Sequence, residues 1–343
     1  MKVAVYYSNK DIRVEEREIP KIGEKEILLK VRASGICGSD VMEWYRKGKT
    51  PLVLGHEVAG DVVEVGKEVK GIKEGDKIVV AHHVPCNTCH FCLRGHHTVC
   101  ETLRKTNFYP GGFSEFIRVP EINVDRGIFK FERTSYEEAS FTEPLACVIR
   151  AHRLLSTSPY DSVFVIGCGI AGLLHIRFLR AIGISKIFAT DIIENRVESA
   201  KKAGADFAFR TDEDAIELIR SNNRGRLADK VLLCTGSPSA IKMAFDCVER
   251  GGKILFFATP EPELQIPLPV NRMFWRTEIS FVSSYGGSPF DYSTALQLIE
   301  NGRIEVKSLI THRIPLSEAE YGFRLVSEGK ECLKVILLPH PPD

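Results

Sequence analysis

Cys37-Gly38-Ser39-Asp40 and Gly55-His56-Glu57 put a thiol and an imidazole about twenty residues apart, each beside a glycine and an acidic side chain. Both suit a borderline-soft ion such as zinc, and a catalytic zinc takes three protein ligands with one position left open for water or substrate. Two ligands are therefore in view and a third is wanted. An isolated pair of this kind would read as a small buried thiol and a core histidine. Glu143 is a candidate for the third position. It precedes Pro144, and proline disfavours the helical region for its predecessor, so the sequence predicts a carboxylate held in an extended or turn conformation. On its own it would read as a surface glutamate.

Cys86-Asn87-Thr88-Cys89-His90-Phe91-Cys92, with Cys100 eight residues further on, is a more specific signal. Two residues between successive thiols is the spacing of a metal knuckle, and four thiolates can close tetrahedrally on one zinc. A closed site has no open position, so its expected role is structural, pinning a long loop. His90, His96 and His97 are expected to be solvated loop residues.

A third constellation begins with the apolar run Val163-Phe164-Val165-Ile166. It leads into Gly167-Cys168-Gly169-Ile170-Ala171-Gly172, a helical stretch from 173 to 182, and a second strand ending at Asp191. This is a dinucleotide fingerprint in the context it requires. The glycines allow the turn and the close approach of phosphate, the helix N-terminus takes the pyrophosphate, and Asp191 takes the ribose hydroxyls. Asp191 would repel a 2′-phosphate and neither Ile192 nor Ile193 offers a compensating charge, so NAD is expected over NADP.

The elements that must position these residues fall into two grammars. Up to about residue 125 the chain reads as short Val- and Ile-rich strands separated by Gly, Lys-Glu or Pro turns, which predicts a β-rich domain resembling a partly open barrel. Ser135, with Glu138 three residues later, forms a capping box at a helix start. From residue 163 strands alternate with helices through strands near 186–189, 205–209, 231–234, 253–258 and 279–283, with helices over 212–220 and 240–250. That alternation predicts a doubly wound parallel sheet. Residues 259–269 read as a Pro-rich loop, and a helix around 294–301 precedes a tail that is expected to return to the first domain.

Composition excludes several classes. At 343 residues two domains are expected. A net charge of +1 without basic blocks argues against nucleic acid, and no run approaches a membrane span or a signal-peptide core. A cytoplasmic protein is expected, whose ten cysteines serve as metal ligands or free thiols before disulfides.

Taken together these motifs, with Gly111-Gly112-Phe113-Ser114-Glu115-Phe116 and Glu143-Pro144-Leu145-Ala146, resemble the zinc-dependent medium-chain dehydrogenases over nearly the whole chain. The branch is that of the sorbitol (polyol) and L-threonine dehydrogenases. The resemblance implies an α/β protein with a GroES-like β-rich catalytic domain over 1–150 and 286–343 and a Rossmann domain over 151–285. It implies two zinc ions per chain: a catalytic one surrounded by Cys37, His56 and Glu143 with Glu57 close by, and a structural one held by Cys86, Cys89, Cys92 and Cys100. NAD would lie against Gly167, Gly169, Ile170, Ala171, Gly172 and Asp191, with Arg196 beside the adenine. Ser39 would relay the alcohol proton and Asp40 would support a ligating histidine. A homo-oligomer, tetramer or dimer, is expected.

Two departures bear on the reaction. Met42 stands where many relatives have a relay histidine, so the proton must leave through water, the ribose or Glu43. Ser284 precedes Tyr285 where polyol enzymes tend to carry arginine. A polyol or sugar-derivative dehydrogenase, an L-threonine 3-dehydrogenase and a catalytically idle NAD-binding sensor therefore all stay open.

Overall fold

The strand Ser162–Ile166, apolar from Val163 onward, is buried along its whole length, as a strand covered on both faces must be. It lies inside a six-stranded sheet ordered Phe207–Arg210, Lys186–Asp191, Ser162–Ile166, Ala228–Leu233, Val248–Phe256 and Ser280–Ser283. Every neighbouring pair is parallel. The order reverses on either side of Ser162–Ile166, and the carboxyl ends of strands at such a switch point are where ligands bind. A computed structural model of the chain describes residues 1–329 and 332–340. It divides into two compact units, Met1–Ala146 with Gly287–Asp343, and Cys147–Gly286.

Two local expectations are corrected. Glu143 is helical, the second residue of Thr142–Leu155. Proline in a first helical turn removes an N–H that has no partner there anyway, and its fixed φ suits the helix, which outweighs the restriction it places on its neighbour. The helix expected over 240–250 runs Pro238–Cys247, started by the Ser237 hydroxyl accepting from the Ala240 N–H at 3.2 Å. Val248 already belongs to a strand, paired with Ala228.

Within the second unit, the helix Ile170–Ala181 is tied down by a buried chain of rings. His152 Nδ1 lies 2.9 Å from the Thr157 hydroxyl, and His152 Nε2 lies 2.9 Å from His175 Nδ1. Burial pushes the His152 pKa down to about 3 and that of His175 well below its usual value. Both rings therefore fold neutral, whereas in the unfolded chain they protonate near pH 6.5. Stability from this pair is complete above that pH and falls as the pH drops from about 6.5 toward 3, by about 1.4 kcal/mol per unit for each ring kept neutral. Urea midpoints between pH 7 and 5 should show this slope. An equal slope in His152→Gln would assign it to other groups.

The first unit is the β-rich one. A seven-stranded sheet runs Ile310–Pro315, Lys334–Leu338, Ile27–Gly35, Glu57–Val65, Lys77–Val80 and Ile128–Lys130, with Phe116–Val119 also paired to Ile27–Gly35. A three-stranded sheet joins Asp11–Glu16, Lys2–Ser8 and Leu52–Val53. The Ser135 capping box forms, hydroxyl to Glu138 N–H at 3.2 Å and Glu138 carboxylate to Ser135 N–H at 3.3 Å.

Candidate metal centres and nucleotide-binding turn

Strand register assembles the first cluster. Gly35 pairs with Glu57 across the antiparallel strands Ile27–Gly35 and Glu57–Val65, so Cys37, just past one strand, meets His56, just before the other. The Cys37 sulfur, a His56 nitrogen and a Glu57 carboxylate oxygen lie within 4.8 Å of one another. Gly35 is needed here because a side chain would collide with the Glu57 carboxylate and with Lys334. Glu143 is buried, at 6 % exposure, but is not part of this three-atom group. Its charge nevertheless acts on Lys334, as do those of Glu57 and Cys37.

The electrostatics favour positive charge. Burial alone would lower the His56 pKa, yet Asp40 and Cys37 outweigh it and hold the imidazole well above its ordinary value. Burial would likewise raise Asp40, but His56, the Cys37 N–H and Arg46 bring its carboxyl below the usual range. Asp40 accepts from the Cys37 N–H at 3.0 Å and lies 3.5 Å from His56 Nδ1, which leaves the other imidazole nitrogen for a ligand. The negative charge gathered around His56 by Asp40, Cys37 and Glu57 suits a dication. A thiolate, an imidazole and carboxylates are zinc ligands, so the residues fit the ion their spacing implies.

Three residues that the sequence reading passed over belong to this site. Lys334 is wholly buried, pairs with Glu57, and donates to the Ile36 carbonyl at 3.1 Å. Burial would lower its pKa, but Glu57, Cys37 and Glu143 raise it. Its signal was a lone cation inside the apolar strand Lys334–Leu338. Arg46 lies 3.5 Å from Asp40. The His82 ring lies tilted against that of His56, centroids 5.0 Å apart, on a backbone clamped by Asn123, which donates to the Ala81 and His82 carbonyls at 2.8 and 2.9 Å. Neither of these two left a pattern in the sequence. Glu43, a possible relay group, instead accepts from the Asn9 N–H at 2.9 Å.

The second cluster needs no rearrangement to take its ion. The sulfurs of Cys86, Cys89, Cys92 and Cys100 all lie within 4.8 Å of one another. Neighbouring pairs stand 3.6 to 3.9 Å apart, against about 3.8 Å for the edge of a tetrahedron with Zn–S bonds of about 2.3 Å. N–H and hydroxyl donors from Thr88 and the Cys89 N–H lower the Cys86 pKa to about 5, while burial and the neighbouring thiols raise Cys92 to about 12. One preformed thiolate among crowded thiols is the start of a metal cage. His90 and His96 are exposed, whereas His97 is half-buried.

In the second unit Gly167 leaves the central strand at φ +96°, and a side chain on Gly172 would run into the Gly167 carbonyl. Ile170 and Ala171 open the helix Ile170–Ala181, with N–H groups at its free end. Asp191 closes the turn by accepting from the Cys168 N–H at 2.7 Å and the Ile193 N–H at 2.9 Å, with Arg196 3.9 Å away. This is a phosphate-accepting turn with a carboxylate at its rim.

A doubly wound sheet bearing that turn, in a chain with a β-rich unit bearing two metal-ligand clusters, defines a metal-dependent nucleotide oxidoreductase. Residues 23–126 match the family model of the alcohol dehydrogenase GroES-like domain, and residues 171–301 that of the zinc-binding dehydrogenases. The chain is 35 % identical to an L-threonine 3-dehydrogenase of Caldanaerobacter subterraneus subsp. tengcongensis over 98 % of each chain. It is 30 % identical to a sorbitol dehydrogenase of Bacillus subtilis over 99 % of this chain and 98 % of that one. The crystal structure of 2R,3R-butanediol dehydrogenase from Bacillus subtilis superposes with a TM-score of 0.85 at 27 % identity, covering 99 % of each chain. The chain belongs to the zinc-dependent medium-chain alcohol dehydrogenase family, and it is an oxidoreductase acting on a small molecule. Among the described residues no helix is long and apolar enough to cross a membrane.

Proposed function

We propose that this chain oxidises a secondary alcohol of a polyol or sugar derivative with NAD. The supporting observation is the cluster of Cys37, His56 and Glu57, with Glu143 buried nearby. One thiolate with carboxylates makes a harder, more readily hydrated metal site than several thiolates, which suits substrates carrying several hydroxyls. Cys37 and His56 hold the catalytic zinc, and Glu57 and Glu143 are the two carboxylates that can complete its shell. Zinc bound there supplies Lewis acidity and the dinucleotide a two-electron acceptor. The chain's own groups do the rest. Asp40 orients His56 through Nδ1, and the Ser39 hydroxyl takes the alcohol proton. With Met42 beyond it and Glu43 bound to Asn9, that proton passes to water or the ribose. Cys86, Cys89, Cys92 and Cys100 hold a structural zinc.

Likeness to a relative named L-threonine 3-dehydrogenase favours a second reading, the oxidation of L-threonine. NAD reduction measured side by side for sorbitol, xylitol, butanediol, threonine and ethanol, on protein assayed for zinc, separates the readings. The polyol proposal expects a polyhydroxylated or vicinal secondary alcohol to be best, with ethanol poor. A clear threonine maximum would replace the substrate, and a protein with both metals and no turnover would be an idle nucleotide sensor.

Cofactor choice follows from Asp191, whose buried carboxylate would meet a 2′-phosphate with like charge. NAD should exceed NADP in kcat/KM, and Asp191→Ala should narrow the gap; equal efficiency in the unaltered enzyme would refute it.

The protein is further proposed to be a cytoplasmic homo-oligomer. No disulfide joins the described cysteines, which suits a reducing compartment. The sheet-edge strand Ser280–Ser283 carries no charge or proline, and its Phe281 packs against exposed Phe274, an edge suited to a second copy.

A further inference from the structure

We infer that Arg46 is a positioning residue for both the ligand imidazole and the relay hydroxyl, acting as the counter-charge of buried Asp40. This rests on the proposed placing of zinc at Cys37 and His56.

Asp40 is 0 % exposed, and Arg46 Nη2 and His56 Nδ1 each lie 3.5 Å from its Oδ1. A buried carboxylate without a cation is costly. When His56 gives its lone pair to a metal, its ring is neutral and donates Nδ1–H to Asp40, so His56 stops supplying charge. The ion's two positive charges are matched by the Cys37 thiolate and one carboxylate ligand. Among the described residues Arg46 is then the remaining cationic side chain within ion-pair distance of Asp40.

The guanidinium is placed for this. Its Nη2 lies 3.5 Å from Asp40 Oδ1 and donates to the Ser39 carbonyl at 3.0 Å, while Cζ sits 4.8 Å from the centre of the Tyr45 ring. The side chain is only 13 % exposed. One group thus ties Ser39 to Asp40, and Asp40 in turn holds the Cys37 N–H and His56 Nδ1. Without Arg46 the carboxylate is drawn toward water, taking the orientation of His56 and the Ser39 loop with it.

The test compares Arg46→Met, which keeps the stem and loses the charge, with Arg46→Lys, which keeps the charge and loses the planar fork. Zinc retention is followed against a chelator, alongside kcat and KM on the best alcohol. Arg46→Met should release one of two zinc ions about 10- to 100-fold faster than wild type, the range expected when a ligand's supporting partner is lost. Arg46→Lys should restore retention to within about threefold but leave kcat low at unchanged KM, because a point charge replaces charge more readily than the bond to Ser39. Arg46→Met with wild-type retention and kcat overturns the inference. So does loss of both metals together with thermal stability and no rescue by lysine, which would mark a merely structural residue. A wild-type protein that binds a single zinc, or binds two and turns over no alcohol, fails the proposed function instead, and that is read before any variant is made.

Discussion

Lys334→Met should destabilise the β-rich unit by about 3–5 kcal/mol, the cost of leaving a buried charge without its partner. Lys334 and Glu57 are each about 1 % exposed and pair directly, and the lysine also serves the Ile36 carbonyl. Methionine keeps the stem and volume, so the loss measures charge more than packing. The double variant Lys334→Met, Glu57→Gln removes both charges and should recover a large part of it. Denaturation midpoints on protein with its metals stripped separate this from metal loss. A single variant as stable as wild type would mean that the carboxylate finds another partner or reaches water.

His56→Ala should lower kcat/KM by about a thousandfold or more, since it removes a ligand of the centre proposed to supply several kcal/mol of charge stabilisation. Zinc content should fall from two to one per chain, because the thiolate loop of Cys86, Cys89, Cys92 and Cys100 is a separate ligand set. Beyond the metal's own contribution some stability should also be lost, because buried Asp40 loses its imidazole neighbour and keeps Arg46. A variant that keeps both metals and more than about a tenth of the activity would move the catalytic centre elsewhere.

Some of this was legible without coordinates because its cause is local. Two residues between thiols bring them onto one small loop wherever that loop goes, so the cage of Cys86, Cys89, Cys92 and Cys100 follows from spacing. Gly167 must take a positive φ and Gly172 must lack a side chain for a strand to turn into a helix against phosphate, and such needs are written as glycine. The parallel sheet followed from strands alternating with helices along the chain. Local rules also misled where two competed, as at Glu143, where the restriction imposed by Pro144 gave way to the tolerance of a helix's first turn.

What the sequence determined by itself was therefore the supply of ligands, the nucleotide turn and the class of fold. The tertiary structure decided how the ligands are charged and held. Lys334 reaches Glu57 because Lys334–Leu338 pairs with Ile27–Gly35, which pairs in turn with Glu57–Val65. That contact spans most of the chain and depends on the register of two strand pairs, which no window of residues encodes. His82 likewise reaches His56 from a separate segment, and His56 reaches Asp40 only once the sheet has closed, whereas Arg46 meets Asp40 locally, six residues on. The same closure grouped Glu57, ahead of Glu143, with Cys37 and His56. A side chain's chemistry is its own, but its partner and its exposure to water belong to the packed chain, and at a buried site those two set the charge.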